Sequence, residues 1–370
     1  LADGLRARAR ARAGWEASVL RIEPTQGRWR PERADGTPLS GPGADPQGWR
    51  TMRHGVSFQN LPGTNPLWVF LPDGRTASTA PAVGPVGAVP RPPALSARTQ
   101  LISPRPWAIP TGDRREAVVL SITQQVNDIV ARAVGLHSDR FAGIAALPQA
   151  AGTDAKFCVD ELERCVDKLG FKGAMIHGLT NGDLFFDDKQ FWPIFERAQA
   201  LDAPLYMHPA VPHPAVVEAY YKDYLDEFPG LLTAAWGFTV ETATQGIRLV
   251  LSGVFDAYPD VKIILGHLGE SLPFSLWRID QALARQGNRN TSFSFRDYFS
   301  KHFWITTSGN FSNPALLCCV MEMGVDRILF SVDYPFVLNQ PAIDWIPTIP
   351  LSAEDKTKIL SGNADRLLRL

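Results

Sequence analysis

From Arg114 to the end of the chain, apolar runs of four to six residues alternate with longer amphipathic segments, and this rhythm constrains the fold more than any other feature of the sequence. The runs Phe141 to Leu147, Gly173 to Ile176, Pro204 to Met207, Val261 to Leu265, Trp304 to Thr307 and Ile328 to Ser331 read as strands. Helical periodicity covers Arg114 to Val134, Asp154 to Leu169, Asp188 to Leu201, Glu241 to Phe255, Ser271 to Leu283, Pro314 to Met323 and Ala353 to Leu367. Strands this apolar cannot face water on either side, so they belong in a parallel sheet covered by helices. The expected fold is α/β, a (β/α)8 TIM-like barrel whose first two strands are not evident, with an open doubly wound sheet as the alternative.

The first 110 residues have a different texture. They hold sixteen of the thirty prolines and neither lysine nor tyrosine, with an Arg/Ala alternation from Arg6 to Ala13 and a Pro-rich run from Pro81 to Pro93. Short β-like runs occur at Ser18 to Ile22, Leu67 to Leu71 and Thr99 to Ile102, but breaker residues separate them without a repeat. The expected division is therefore an atypical, poorly structured segment over residues 1–110 and a barrel domain over residues 111–370.

With 37 basic and 38 acidic residues, the net charge of -1 gives no electrostatic reason to expect a nucleic acid or an anionic membrane as partner. No apolar run has the length of a membrane span and no signal peptide opens the chain, so the expected location is cytoplasmic. Cys158 and Cys165 fall on one helical segment and the adjacent Cys318 and Cys319 on another, a spacing that suits buried free thiols better than a disulfide framework or a zinc knuckle.

Barrel enzymes carry their chemistry on the loops after the carboxyl ends of strands. Here Pro204 to Met207 ends in His208-Pro209, Val261 to Leu265 ends in Gly266-His267-Leu268-Gly269-Glu270, Trp304 to Thr307 ends in Ser308-Gly309-Asn310, and Ile328 to Ser331 ends in Val332-Asp333. Any one of these side chains has an ordinary structural use, as a hydrogen-bonded helix-entry histidine or an N-cap aspartate. Together, two imidazoles and a carboxylate at the same end of different strands suit a divalent first-row ion such as zinc or manganese. Glu270, three residues past His267, is placed to orient that ring. His177 also follows a strand, but His177-Gly178-Leu179-Thr180-Asn181-Gly182 reads as a turn; His54, His137, His213 and His302 lack a comparable context.

The motifs Asp139-Arg140-Phe141, Gly170-Phe171-Lys172-Gly173-Ala174, Met207-His208-Pro209, Glu241-Thr242-Ala243, Gly266-His267-Leu268-Gly269-Glu270, Trp277-Arg278-Ile279-Asp280, Thr306-Thr307-Ser308-Gly309-Asn310 and Ser331-Val332-Asp333-Tyr334-Pro335-Phe336 keep their order and spacing over the last two thirds of the chain. From about residue 108 to 370 the sequence resembles the amidohydrolase-related metal-dependent decarboxylases that act on hydroxybenzoates, such as γ-resorcylate and 5-carboxyvanillate decarboxylases. The resemblance implies an amidohydrolase-type barrel and a carboxy-lyase that removes carbon dioxide, without oxidation, from a hydroxylated aromatic acid. It also implies a divalent cofactor, zinc or manganese, held by His208 and Asp333, with Asp333 as proton donor, His267 and Glu270 assisting, and Arg278 and Phe336 lining the substrate pocket. A small aromatic acid is then the partner, and the chain a homodimer or homotetramer. The loop from Ala210 to Ala235, with Tyr220, Tyr221 and Tyr224, would shape the aromatic pocket. One departure stands out: the family's first strand carries a Glu-x-His pair of further ligands, and none occurs in residues 1–113. A hydrolase of the same superfamily, or a catalytically impaired remnant lacking those ligands, are the alternative readings.

Overall fold

A computed structural model describes the backbone of residues 19–23, 28–32, 50–51, 68–70, 76–78, 100–102, 115–149, 154–178, 184–286 and 294–370, with side chains from Val119 onward. The sequence features at Arg6 to Ala13, His54, Pro81 to Pro93 and Thr180 to Gly182 lie outside the described residues. By internal contacts the chain divides into Leu1–Arg91 and Pro92–Leu370.

In the first unit, β1 (Val19–Glu23), β2 (Arg28–Glu32) and β3 (Arg50–Thr51) form an antiparallel sheet, and β4 (Trp68–Phe70) pairs with β5 (Thr76–Ser78). The second unit opens with β6 (Gln100–Ile102), which runs parallel to β7 (Phe141–Gly143). The three β-like runs before residue 110 coincide with β1, β4 and β6.

The run expected as one strand from Phe141 to Leu147 is broken at Ile144. Its first half, β7, pairs with β6, and its second half, β8 (Ala145–Ala146), pairs with β9 (Ala174–His177). Beyond β9 follow β10 (Leu205–His208), β11 (Ile263–Leu265), β12 (Phe303–Thr306) and β13 (Ile328–Leu329), all parallel and neighbours in chain order. Strictly sequential order is what a barrel requires; a doubly wound sheet reverses direction at a switch point, and these strands show no reversal.

Helices α1 (Arg115–Leu136), α2 (Ala155–Leu169), α3 (Trp192–Ala200), α4 (Gly237–Ser252), α5 (Leu272–Ala284), α6 (Phe295–His302), α7 (Asn313–Met323), α8 (Asn339–Trp345) and α9 (Asn363–Leu368) separate or follow the strands. Periodicity missed α6 and α8, which are only eight and seven residues long. It also merged α4 with Val254–Ala257 across a break at Gly253, and overlooked the π-helical stretch Lys358–Gly362 that divides the last helix. Among the described residues no helix is long and apolar enough to cross a membrane.

Two apolar layers result from the period-two alternation of the strands. Ala174, Ile176, Leu205, Met207, Ile263, Leu265, Ile305 and Ile328 point outward into the large core under the helices. Tyr206, Ile264, Trp304 and Leu329 point the other way and pack with Leu367 and Leu368 of α9. The inner residues Met175, Tyr206, Ile264 and Trp304 are register partners and form one layer. His177, His208 and Thr306, two residues further along their strands, form the next layer, at the carboxyl ends.

The break at Ile144 is pinned by a buried amide. Asn127 on α1 donates through Nδ2 to the Ala146 carbonyl (3.0 Å) and to Glu161 Oε1 on α2 (2.7 Å), and accepts from the Ala146 N–H (2.9 Å). Asn127 and Glu161 are both fully buried, and Arg164 closes the pair on Glu161 at 2.8 Å. Asn127→Ala leaves a buried N–H and a buried carboxylate oxygen without these partners. It is expected to lower unfolding stability by about 2–4 kcal/mol, read as a shifted denaturant midpoint at unchanged m-value.

Candidate active site

His208 is the last residue of β10, one layer above Tyr206 on the same face. Its Nδ1 donates to the Pro209 carbonyl at 2.7 Å, which puts the proton on Nδ1 and the lone pair on Nε2, the tautomer a metal ion requires. His177, expected at the entrance to a turn, is instead the last residue of β9. It pairs in register with His208, and their ring centroids lie 4.6 Å apart.

His267 follows β11 in an unusual backbone turn. His267, Leu268, Gly269, Glu270 and Ser271 all have positive φ, between 50° and 76°. Glycine is needed at 269, because a Cβ there would stand 2.9 Å from both Ile305 Cγ2 and Pro273 Cδ. The left-handed turn brings position 270 back beneath position 267, so that His267 Nδ1 donates to Glu270 Oε1 at 2.5 Å. Glu270 is buried, and its Oε2 accepts no hydrogen bond from the described residues.

Asp333 stands four residues beyond β13, also at positive φ (71°), and its carbonyl accepts from the N–H groups of Phe336 (2.9 Å) and Val337 (3.0 Å). Its Oδ2 lies 3.8 Å from His267 Nε2, beyond hydrogen-bond length and within the range of a strong charge interaction. Burial alone would lower the His267 pKa; Asp333 and Glu270, one on each side of the ring, overcome it and lift the value to about 10. His267 is therefore a cation clamped between two carboxylates.

Beneath this pair is a cluster of hydroxyls. Tyr206 Oη is 3.0 Å from both Thr306 Oγ1 and Ser308 Oγ, and Ser308 Oγ is 2.5 Å from Thr306 Oγ1 and 2.6 Å from Ser331 Oγ. On the far side, Glu241 of α4 is buried below the loops after β9 and β10. Gln245 Nε2 donates to its Oε1 at 2.5 Å and the Ala210 N–H to its Oε2 at 3.4 Å. Burial pushes the Glu241 carboxyl up from 4.5 to about 7 against those hydrogen bonds, with the Glu270 charge adding to the rise.

The structure thus brings His267, Glu270 and Asp333 together and sets His208 on the same rim. Arg278 is exposed on α5, and Phe336, in the turn after Asp333, is 46% exposed. The stretch from Ala210 to Ala235 is a series of short helical turns rather than a loop; in it Tyr221 is buried, whereas Tyr220 and Tyr224 face solvent. His213 caps one of those turns by accepting from the Ala215 N–H. His302 is a core residue stacked on Phe255, its Nδ1 donating to the Val261 carbonyl. Cys158, Cys165 and Cys319 are buried free thiols, and Cys318 is half-buried. Sequence reasoning missed Glu241 and Tyr206 as parts of the site, although Tyr206 stands two residues before His208 and so on its face.

The donors fit a divalent cation in kind: a lone-pair imidazole, a half-exposed carboxylate, and a buried carboxylate oxygen with no proton donor beside it. In number they are few, since among the described residues no group of three or more His, Cys, Asp and Glu side chains is arranged so that it could hold a metal ion.

The sequence profile of one family, described as amidohydrolase, matches residues 66–370. A γ-resorcylate decarboxylase from a Polaromonas species is 42% identical over 255 residues, covering 67% of this chain and 76% of that protein. The crystal structure of a dihydroxybenzoic acid decarboxylase from Polaromonas, with bound manganese and the inhibitor 2-nitroresorcinol, is 40% identical, with a TM-score of 0.64, and covers 69% of this chain and 77% of that one. A mutant 5-carboxyvanillate decarboxylase from Novosphingobium aromaticivorans, also with bound manganese, is 30% identical, with a TM-score of 0.67 and coverage of 75% and 78%.

Glu241 generates a pH-dependence prediction. A carboxyl at about 7 in the folded chain and 4.5 otherwise takes up a proton on folding between those values. The stability it contributes is complete below its unfolded value and is lost as pH rises through about 7. Glu241→Gln stays neutral throughout. The stability of the native chain relative to this variant is expected to fall by up to about 3 kcal/mol between about pH 4 and about pH 8, measured by urea unfolding.

Proposed function

The chain belongs to the amidohydrolase family, and from that membership we propose that it removes carbon dioxide, without oxidation, from a hydroxylated aromatic carboxylic acid with the help of a divalent metal ion. The observation that carries this reading is the His267 imidazole, clamped between Glu270 and Asp333 at the carboxyl ends of parallel strands with His208 on the same rim. Relatives named for γ-resorcylate, 2,6-dihydroxybenzoate and 5-carboxyvanillate match it at 30–42% identity.

His208 Nε2 and the Asp333 carboxylate are the residues that would hold the ion. When bound, the ion supplies Lewis-acid polarisation of the substrate's carboxylate and neighbouring hydroxyl. The rest is proton chemistry. Decarboxylation of a benzoate needs one proton delivered to the ring carbon that bears the carboxylate; the bond to the carboxylate then breaks, its electron pair restores aromaticity, and carbon dioxide leaves. Asp333 faces the rim and delivers the proton, which it takes from the His267 imidazolium 3.8 Å behind it. Glu270 holds the imidazole in orientation through Nδ1 and stabilises its charge, as second carboxylates do in other acid-base couples. Arg278 and Phe336 would meet the substrate from the edge of the rim. A small aromatic acid is the substrate class, and the chain acts as a homo-oligomer.

Incubating manganese-loaded protein with 2,6-dihydroxybenzoate is expected to yield carbon dioxide and 1,3-dihydroxybenzene in equal amounts. Release of a new acid from lactone or amide substrates, with no carbon dioxide from the benzoates, would instead support the hydrolase. His208→Ala should lose bound metal, measured by elemental analysis, and at least about 100-fold in turnover. Retained metal and turnover would remove His208 from the ligand set.

A further inference from the structure

We propose that Tyr206, Thr306, Ser308 and Ser331 form a hydroxyl lock, a set of positioning residues that holds the two left-handed turns bearing His267 and Asp333 at the spacing proton transfer needs. The inference rests on the decarboxylase reading for its kinetic consequences and on geometry for the lock itself.

The cluster joins three strand ends. Ser308 is its hub: its hydroxyl lies 3.0 Å from Tyr206 Oη, 2.5 Å from Thr306 Oγ1 and 2.6 Å from Ser331 Oγ, while its N–H donates to Ser331 Oγ at 3.0 Å. Thr307 closes the same joint from the other face, its Oγ1 donating to the Ser331 carbonyl (2.6 Å) and accepting from the Ser331 N–H (2.9 Å). Thr306, Thr307 and Ser308 are buried to 5% exposure or less. Burial holds the Tyr206 hydroxyl up at about 12, so the cluster exchanges hydrogen bonds and carries no charge.

Its position relates it to the reacting pair. A Cβ on Gly266 would stand 3.2 Å from Tyr206 Oη, 3.8 Å from Ser308 Cβ and 3.8 Å from Glu270 Oε1. Only the missing side chain of Gly266 therefore separates the cluster from the base of the His267 turn. At its other end, Ser331 is two residues before Asp333.

Strain supplies the need for a lock. Of the eight non-glycine residues with positive φ among the described residues, six lie at this rim: His267, Leu268, Glu270, Ser271, Ser308 and Asp333. Each is an unfavourable backbone conformation for an L-residue, and such conformations persist only where surrounding contacts over-determine them. Buried hydroxyls are an expensive way to fill a barrel, since an apolar layer like Ile264 and Trp304 below would fill it as well. Directional bonds are what they add: they tie strand ends 206, 306–308 and 331 to one another beside the strained turns, with Ser308 itself at positive φ.

The test uses full-length, metal-loaded protein and the variants Tyr206→Phe, Ser308→Ala and Ser331→Ala, with Ser331→Thr retaining the hydroxyl. In each hydroxyl-deleting variant kcat for 2,6-dihydroxybenzoate is expected to fall by about tenfold or more, with KM within about twofold and bound metal unchanged. The Tyr206→Phe/Ser308→Ala double variant should fall no further than the worse single, because the groups act as one unit. Ser331→Thr should recover most of the loss. In zinc-loaded, isotope-labelled protein, the NMR signal of the His267 Nδ1 proton shared with Glu270 should move in Tyr206→Phe. A lowered melting temperature with kcat and the His267 signal unchanged would overturn the proposal and leave the cluster as packing. If the native chain decarboxylates no benzoate while the His267 signal still moves, the function is wrong and the lock stands.

Discussion

The backbone hydrogen bonds that hold β9 through β13 parallel and in register are the constraint on which the rest depends. Parallel register places every carboxyl end on one side, and the two-residue period decides which side chains face inward there. His177 and His208 meet because they are register partners, and Tyr206 reaches Thr306 across β11 because Ile264 and Trp304 align with it. A one-residue slip would turn Met207 inward and bury His208 among the helices. Site geometry is thus a property of the sheet before it is a property of any loop.

Loops then do what strands cannot. A strand presents side chains at fixed spacing, so an imidazole and a carboxylate in mutual contact need a backbone that curls back on itself. The left-handed turn from His267 to Ser271 is that curl, and its conformational cost is offset by packing of Gly269 against Ile305 and Pro273 and by the short His267–Glu270 hydrogen bond. Rigidity follows as a by-product. An imidazole held at Nδ1 by a buried carboxylate has one orientation, and its Nε2 has one direction in which to act.

The sequence made the barrel and the rim legible for the same reason: both are periodic. Apolar strands alternating with amphipathic helices gave the architecture, and a polar residue directly after an apolar run gave His208, His267 and Asp333. Short elements escaped, because seven or eight residues of α8 or α6 hold too few turns for a period to emerge. His177 was misread through its neighbours, since Gly178 and the residues after it carry turn composition although the strand extends to His177 itself. Glu241 and the hydroxyls at 306, 308 and 331 gave no signal of their own. A glutamate inside a helix and serines near a strand end are ordinary until three-dimensional contact makes them buried partners.

Charge at the rim closes the account of why a divalent ion and an aromatic acid suit this chain. Glu270 and Asp333 contribute two negative charges and the His267 imidazolium one positive, a formal sum of -1 in a mostly buried space. Glu241 adds little of its own, because burial and the nearby Glu270 push its carboxyl toward the neutral form. An uncompensated buried negative charge is unfavourable, and a univalent cation would only cancel it. A divalent cation instead leaves the rim at +1, the complement of a single benzoate. Substrate and ion then bring one another to neutrality, whereas a neutral amide or lactone would leave the site carrying charge before its chemistry begins.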